Sequence, residues 1–116
     1  MLSLHALAVL TQAALAGQFL SGAERPVVFH VWTAWLIVAL SAAQIVLSLQ
    51  FVRLGGPLWL AVASIFIFIA EGLQVGTGYG RFLGVHIPLA VFVFGAVIWM
   101  LVWVFRKQPV GGDRAV

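Results

Sequence analysis

Residues 82–105 read FLGVHIPLAVFVFGAVIWMLVWVF, an apolar run without a charged side chain. About 20 apolar residues in a helix span the hydrocarbon core of a bilayer, so this stretch alone predicts a transmembrane helix. Three further apolar runs precede it, at roughly Leu2 to Leu20, at Val27 to Val52, and from near Leu58 to Glu71, where the run weakens. Together the runs predict four membrane-spanning helices.

The composition indicates the same class of protein. Hydrophobic residues make up 64% of the 116-residue chain and charged residues 8%, whereas a soluble domain carries about 25% charged residues. The chain therefore lacks the polar residues that a water-facing surface needs, and the soluble classes are excluded. Four spans of about 20 residues leave about 36 residues for turns and a tail. A fifth span would leave too few residues for the connections between helices.

Short connections separate the four runs. Ser21 to Pro26 and Leu54 to Pro57 are rich in turn residues, and the glycines between Glu71 and Arg81 are expected to loosen the chain there. Consecutive helices joined by short connections pack antiparallel. The sequence thus predicts an all-α, up-down-up-down transmembrane bundle over residues 1–107, with the first run retained as a helix, and a short polar tail over residues 108–116.

The basic residues predict the orientation of this bundle. With four spans both termini lie on one side of the membrane, and that side also holds the second connection. It collects Arg53, Arg106, Lys107 and Arg114, whereas the opposite side holds Arg25 and Arg81. The positive-inside rule then predicts cytoplasmic termini for a multi-pass protein of the plasma membrane. Because these basic residues are scattered at helix ends, a nucleic-acid partner is not expected.

Several kinds of chemistry are excluded by residue counts. The chain has no Cys, which rules out disulfides, thiolate metal sites and thiol catalysis. It has three Asp and Glu residues in total, so acid–base catalysis by a pair of carboxylates is not expected. No Ser or Thr stands in a recognisable arrangement with both a His and an acid.

Two histidines lie at matching depth in the predicted bundle. His30 follows Pro26 in the second helix and His86 follows Arg81 in the fourth, so each lies roughly 6–8 Å below the outer boundary. The second and fourth helices are diagonal neighbours and run in the same direction. Two imidazoles that face each other across the core suit the axial positions of one haem iron. The alternative is a pair of histidines that only bridges helices by hydrogen bonds.

Small residues near these histidines predict room for a porphyrin, and two arginines are candidates for its propionates. The predicted cofactor contacts are Gly17, Ala34, Gly76, Ala90, Arg25 and Arg81. Close helix packing is the alternative explanation for the glycines, and interfacial anchoring is the alternative for the arginines.

Glu71 is the only acid deep in a predicted helix, and acids at that depth are functional candidates. It is expected in the outer half of the third helix, as a further cofactor contact. Pairing with Arg81, a bond to a Gln and proton relay to the cofactor are the open alternatives, beside a purely structural carboxyl. His5, at the start of the first helix, is expected at the opposite interface.

Several motifs resemble the heme A synthase family over most of the chain. Ala16 to Gly22 resembles that family's AG-x-x-x-x-G helix exit, and His30 matches a ligand position. The segment from Leu73 to Gly76, followed by Leu83 to Ala90, resembles its Q-x-x-x-G helix leading into an H-x-x-x-A helix. The family has two similar four-helix halves, each able to hold a haem between histidines on its second and fourth helices. The resemblance implies that this chain corresponds to one half.

Two departures from that family indicate which half. The family's catalytic half carries E-x-x-H-R around its first histidine, and here Val27 and Val31 replace the Glu and the Arg. The cysteine pair of some members is also absent. The resemblance therefore implies the cofactor-holding half and a haem b site, rather than a haem-oxidising enzyme.

The sequence leaves three functional hypotheses. The first is a small membrane cytochrome b that transfers electrons or supports a respiratory or haem-processing complex, with the lipid bilayer and a homodimer or larger complex as partners. The second is a half-size heme A synthase-like enzyme that acts as a dimer. The third is a haem-free structural subunit of a membrane complex.

Overall fold

The computed structural model describes residues 1–107, which form four α-helices in an all-α bundle. These are α1 (Leu2–Leu20), α2 (Pro26–Arg53), α3 (Leu58–Tyr79) and α4 (Leu83–Lys107). All four are long and apolar enough to cross a membrane, which confirms the expected number of spans. The predicted tail at 108–116 lies outside the described residues.

The helices form a ring in chain order. α1 packs against α2 and α4, and α3 packs against the same two helices. Within residues 1–107 the diagonal pairs α1/α3 and α2/α4 make no comparable backbone approach. The ring has two ends: the Glu24 end carries the connections at 21–25 and 80–82, and the Gly55 end carries the connection at 54–57. α2 and α4 both run from the Glu24 end to the Gly55 end.

Each of the first three helices ends in the same turn, in which a residue with positive φ reverses the chain. Gly22 (φ 96°), Gly55 (φ 91°) and Arg81 (φ 55°) occupy this position. In α1, for example, the amide of Ala23 donates to the carbonyl of Gln18 and that of Gly22 to Phe19. This is the Schellman arrangement, in which glycine normally supplies the left-handed residue. Pro26, in the first turn of α2, suits the helix start that follows.

The buried core lies toward the Gly55 end. Its main cluster joins α1, α3 and α4 through Ala6, Leu60, Ile67, Ala70, Val93, Val97 and Met100. Large apolar side chains cover the outside of the ring; Trp32 is 72% exposed and Val91 69%. A surface of this kind is stable against lipid and not against water, which agrees with a location in the bilayer.

The glycine-rich part of the third run is helical, which differs from the expected loosening. α3 continues through Gly72, Gly76 and Gly78 to Tyr79. Each glycine costs about 1 kcal/mol relative to alanine in a water-exposed helix. In a low-water environment, however, every backbone group must be bonded internally, and only the helix achieves this within one segment. The same requirement keeps α4 helical across Pro88.

The start of α1 is recessed within the ring. α1 has 19 residues and α2 has 28, and the short connection at 21–25 ties their ends together at the Glu24 end. His5 therefore lies about 22 Å of helix below Leu20, and Gln44 lies about 27 Å below Pro26. The expectation that His5 is interfacial is wrong, because its side chain is 0% exposed. The expectation assumed that the start of α1 lies at the same level as the end of α2, and it does not.

Candidate functional site

His30 of α2 and His86 of α4 meet across the ring near the Glu24 end. Their ring centroids are 6.3 Å apart and the ring planes are tilted by 55°. The helices that carry them are diagonal neighbours without close backbone contact, and the two side chains approach each other in the space between them. The sequence-based expectation that the two imidazoles face each other at matching depth agrees with this geometry.

In both imidazoles the hydrogen bonds place the proton on Nδ1 and leave Nε2 without one. Nδ1 of His30 donates to the carbonyl oxygen of Gln12 over 3.2 Å, and Nδ1 of His86 donates to that of Gln74 over 2.9 Å. A carbonyl oxygen only accepts, so each Nδ1 carries the proton of a neutral imidazole and each Nε2 has a free lone pair. Metal-binding histidines typically have their other nitrogen held in this way.

The ring is loosely packed around this pair. Within residues 10–20, 27–36, 72–79 and 83–92 no side chain is fully buried, although the helices surround a common axis. The inward-facing residues there are half-buried, and they include His30 and His86. The buried apolar core lies toward the Gly55 end, so the helices are packed less tightly around the histidine pair, although Pro26 is buried at the Glu24 end.

The small residues expected to contact a cofactor lie in this loosely packed part. Ala34 and Ala90 are half-buried, one turn from His30 and His86 respectively. A Cβ added at Gly17 or Gly76 meets no atom within 4 Å. Both glycines are exposed, so neither lies in a close helix contact within the bundle, and their predicted contact with a cofactor stays a prediction.

Arg25 and Arg81 are both exposed at the Glu24 end. Arg25 precedes α2, and Arg81 holds the left-handed position between α3 and α4. The arginines thus lie at the same end as the histidine pair, as the sequence predicted. Their role toward propionates stays a prediction.

Gly78 is a residue of the site that the sequence did not single out for this role. A Cβ added to Gly78 would lie 3.0 Å from Cε1 and 3.3 Å from Nδ1 of His86. Thr77 is adjacent, and its Oγ1 lies 3.4 Å from the same Nδ1. The spacing from Gln74 to Gly78, one helical turn, is the signal that places both next to one imidazole.

A second polar cluster lies deeper in the ring and contains Glu71. Its Oε1 is 2.6 Å from Nε2 of His5, while Nδ1 of His5 is 2.9 Å from Oε1 of Gln44. His5, Glu71 and Gln44 are all at least 96% buried. Glu71 thus pairs with His5 instead of Arg81. Its predicted role as a contact of the cofactor stays a prediction.

Three buried acceptor atoms in the residues of these two clusters and their neighbours have no hydrogen-bond partner among the described residues. They are Oε1 of Gln12, Oε1 of Gln74 and Oε2 of Glu71. Gln12 and Gln74 are the residues whose carbonyl oxygens hold the two imidazoles. Unpartnered buried acceptors are costly and are rare outside functional sites, so this part of the ring has capacity for added donors.

The described part of the chain contains no group of three or more His, Asp or Glu side chains that is arranged to hold a metal ion. A closed zinc site needs four protein ligands, so a metal centre built from protein alone is not favoured. Comparison of the chain with protein-family models, curated proteins and solved structures finds no match.

Proposed function

We propose that the protein is a small membrane cytochrome b, in which His30 and His86 are the two axial ligands of one haem. The observation that carries this proposal is the imidazole pair itself. Metal–imidazole bonds are about 2 Å long, so two imidazoles on one metal have ring centroids roughly 6 Å apart. The observed separation of 6.3 Å matches this spacing.

The surroundings fit the group as well. Both Nε2 atoms have free lone pairs because both Nδ1 atoms donate to carbonyl oxygens. Inward-facing side chains at this level are half-buried, among them the small residues Ala34 and Ala90. A bound haem supplies one-electron redox chemistry, and two histidine ligands suit electron transfer because they fill both axial positions.

The chain's own residues have three tasks in this function. His30 and His86 hold the iron, the carbonyl oxygens of Gln12 and Gln74 orient them, and the apolar outer surface keeps the bundle in the lipid. Arg25 and Arg81 are the proposed partners of the propionates. We infer electron transfer, alone or within a larger membrane complex, in keeping with the resemblance to the cofactor-holding half of heme A synthases.

The orientation belongs to the same proposal. We infer that both termini face the cytoplasm and that the histidine pair lies near the outer face of the plasma membrane, on the four-to-two split of basic residues. Reporter fusions at the Glu24 connection and after Lys107 test this. An external reporter after Lys107 contradicts it.

The haem site is tested by an absorption spectrum of the purified chain after addition of haem b. We expect the sharp bands of a low-spin bis-histidine haem, lost in His30→Gly and in His86→Gly and restored by added imidazole. His5→Gln is the matched control, because it removes the third histidine of the chain and leaves the pair intact. A wild-type chain that binds no haem overturns the proposal.

A further inference from the structure

Hydrogen bonds from neighbouring residues determine which atoms of the buried His5–Glu71 pair carry protons. Ser64 Oγ donates to the carbonyl oxygen of Leu60 over 2.7 Å, so it accepts from Nε2 of Gln44 over 3.3 Å. This turns Oε1 of Gln44 toward Nδ1 of His5. Nδ1 must therefore donate, because an amide oxygen only accepts.

One proton is then shared between His5 and Glu71. With Nδ1 protonated, the 2.6 Å contact of Nε2 with Oε1 of Glu71 needs a proton between the two atoms. It is held either by the imidazole of an ion pair or by the carboxyl of a neutral pair, and the total charge is zero in both cases. A net charge in this low-dielectric interior is costly, so the pair rests in this one-proton state.

The other carboxyl oxygen is able to take a second proton. Oε2 of Glu71 is buried without a donor, and Oε1 of Gln74, one turn further along α3, is an unpartnered acceptor as well. A proton on Oε2 makes this carboxyl oxygen of Glu71 a hydrogen-bond donor, whereas without the proton it is an unpartnered acceptor. The resulting pair carries a charge of +1, which is stable only beside a compensating negative charge.

In the proposed function this compensation comes from the electron that enters a haem held by the histidine pair. Glu71 lies about 4.5 Å of helix from Gln74, whose carbonyl oxygen holds His86. Among the described residues, His5 of α1 contacts Glu71, the uncharged Gln44 of α2 contacts His5, and Met100 of α4 contacts Gln44. The other titratable side chains between the helices are His30 and His86, nearer the Glu24 end, and both arginines of that end are exposed.

A line of buried polar side chains leads from the Gly55 end to this pair. Ser48 lies about 7 Å of helix from Arg53, and Ser41, Gln44 and Ser48 share one face of α2 and are all buried. Gln44 contacts Ser64 and His5, and His5 contacts Glu71. Ser41 and Ser48 donate to carbonyl oxygens of their own helix, so the hydrogen bonds between helices extend from Ser64 through Gln44 and His5 to Glu71.

We propose that Glu71 binds one proton for each electron that enters the haem held by His30 and His86, so that the bundle couples electron transfer to proton uptake; this inference rests on the proposed function. One electron arrives from a one-electron donor, and one proton moves from water to Oε2 of Glu71. Reoxidation returns both. By linkage, proton binding at Glu71 favours electron binding by the same coupling free energy.

The test is a redox titration of the haem-loaded full chain in nanodiscs over a series of pH values. Because reduction takes up a proton, the midpoint potential should fall as pH rises, by up to about 59 mV for each tenfold change in proton concentration. Glu71→Gln, which keeps the size and hydrogen-bonding capacity of the side chain, should remove this slope. Glu24→Gln, the same change in an exposed turn, should retain it.

Infrared difference spectra give a readout that does not depend on potential. Reduction should produce a new or shifted carboxylic acid band in the wild type and in Glu24→Gln, and no such change in Glu71→Gln. A haem-loaded wild type with a pH-independent potential overturns the inference and leaves the proposed function standing, as does a slope that survives in Glu71→Gln. A chain without a haem spectrum overturns the proposed function and the coupling together.

Discussion

Each imidazole of the histidine pair is oriented by a backbone carbonyl group of the preceding helix. Gln12 of α1 holds His30 of α2, and Gln74 of α3 holds His86 of α4, so the two halves of the chain repeat one arrangement. Any residue type offers the same carbonyl group. The orientation of the pair therefore depends on helix packing and not on a neighbouring side chain, and this part of the site was not visible in the sequence.

Gly78 lies against His86 and gives a prediction about the geometry of the pair. In Gly78→Ala the added Cβ lies 3.0 Å from Cε1 of His86, so the imidazole must move by a few tenths of an ångström. We expect the haem-loaded variant to show shifted electron paramagnetic resonance g-values and weaker haem binding. The variant should remain folded, because alanine favours a helix over glycine by about 1 kcal/mol.

Gly72→Ala is the matched control for this change. It lies in the same helix, and an added Cβ there meets no atom within 4 Å. Its g-values and haem affinity should equal those of the wild type. An effect of similar size in both variants contradicts a specific contact between Gly78 and His86.

The His5–Glu71 pair gives a prediction about stability. His5→Leu leaves a buried carboxyl without its partner, which costs roughly 3 kcal/mol in the free energy of unfolding. His5→Leu/Glu71→Leu removes both polar groups and should recover much of this loss, because apolar pairs of similar volume replace buried ion pairs without large cost. Denaturant unfolding in detergent measures four proteins: the wild type, His5→Leu, Glu71→Leu and the double variant. A double variant as unstable as the sum of the two single changes contradicts the direct pairing.

At the scale of helices, sequence patterns predicted most ends correctly and one incorrectly. Gly22 and Gly55 mark the ends of α1 and α2 because each takes the positive φ that closes a Schellman turn. The end of α3 was expected earlier, since glycines between Glu71 and Arg81 read as helix breakers. The lipid-like surroundings reverse that preference, because they offer the backbone no other hydrogen-bond partner.

Arg81 occupies the position that glycine holds at the ends of α1 and α2, and this gives a prediction at the same scale. A non-glycine residue in the left-handed region costs about 1–2 kcal/mol, so Arg81→Gly should raise the free energy of unfolding by about 1 kcal/mol. If the arginine also pairs with a propionate, the same variant binds haem more weakly. A thermal melt of the haem-free protein and a haem titration measure the two effects separately.

Gly55→Ala is the control for this element, since it places a side chain in the same backbone conformation (φ 91°). It should lower stability by about 1 kcal/mol and leave haem affinity unchanged, because it lies at the opposite end of the bundle. Equal stability of Arg81→Gly and the wild type contradicts the idea that the turn after α3 is strained.

For the whole molecule, the sequence predicted the four helices and the meeting of His30 with His86, because apolar run lengths and turn residues determine both. The partner of Glu71 was not predicted. His5 reaches it only because α1 is nine residues shorter than α2 (28 against 19), and the resulting stagger depends on how the ring closes. Hydropathy reports that a residue lies in a membrane-spanning helix, but not the level at which two helices are aligned.

The last prediction distinguishes electron transfer from haem oxidation, the activity implied by the alternative of a synthase-like dimer. Two histidines that fill both axial positions leave none for a gas ligand. We therefore expect that the reduced wild-type protein binds carbon monoxide slowly and that cells supplied with haem o yield no haem a in the purified protein. His86→Gly should bind carbon monoxide rapidly, as seen in the Soret difference spectrum, and added imidazole should compete with it. Rapid binding by the wild type, or haem a in its extracted pigment, favours the enzyme, because both require an iron position that the histidine pair does not occupy.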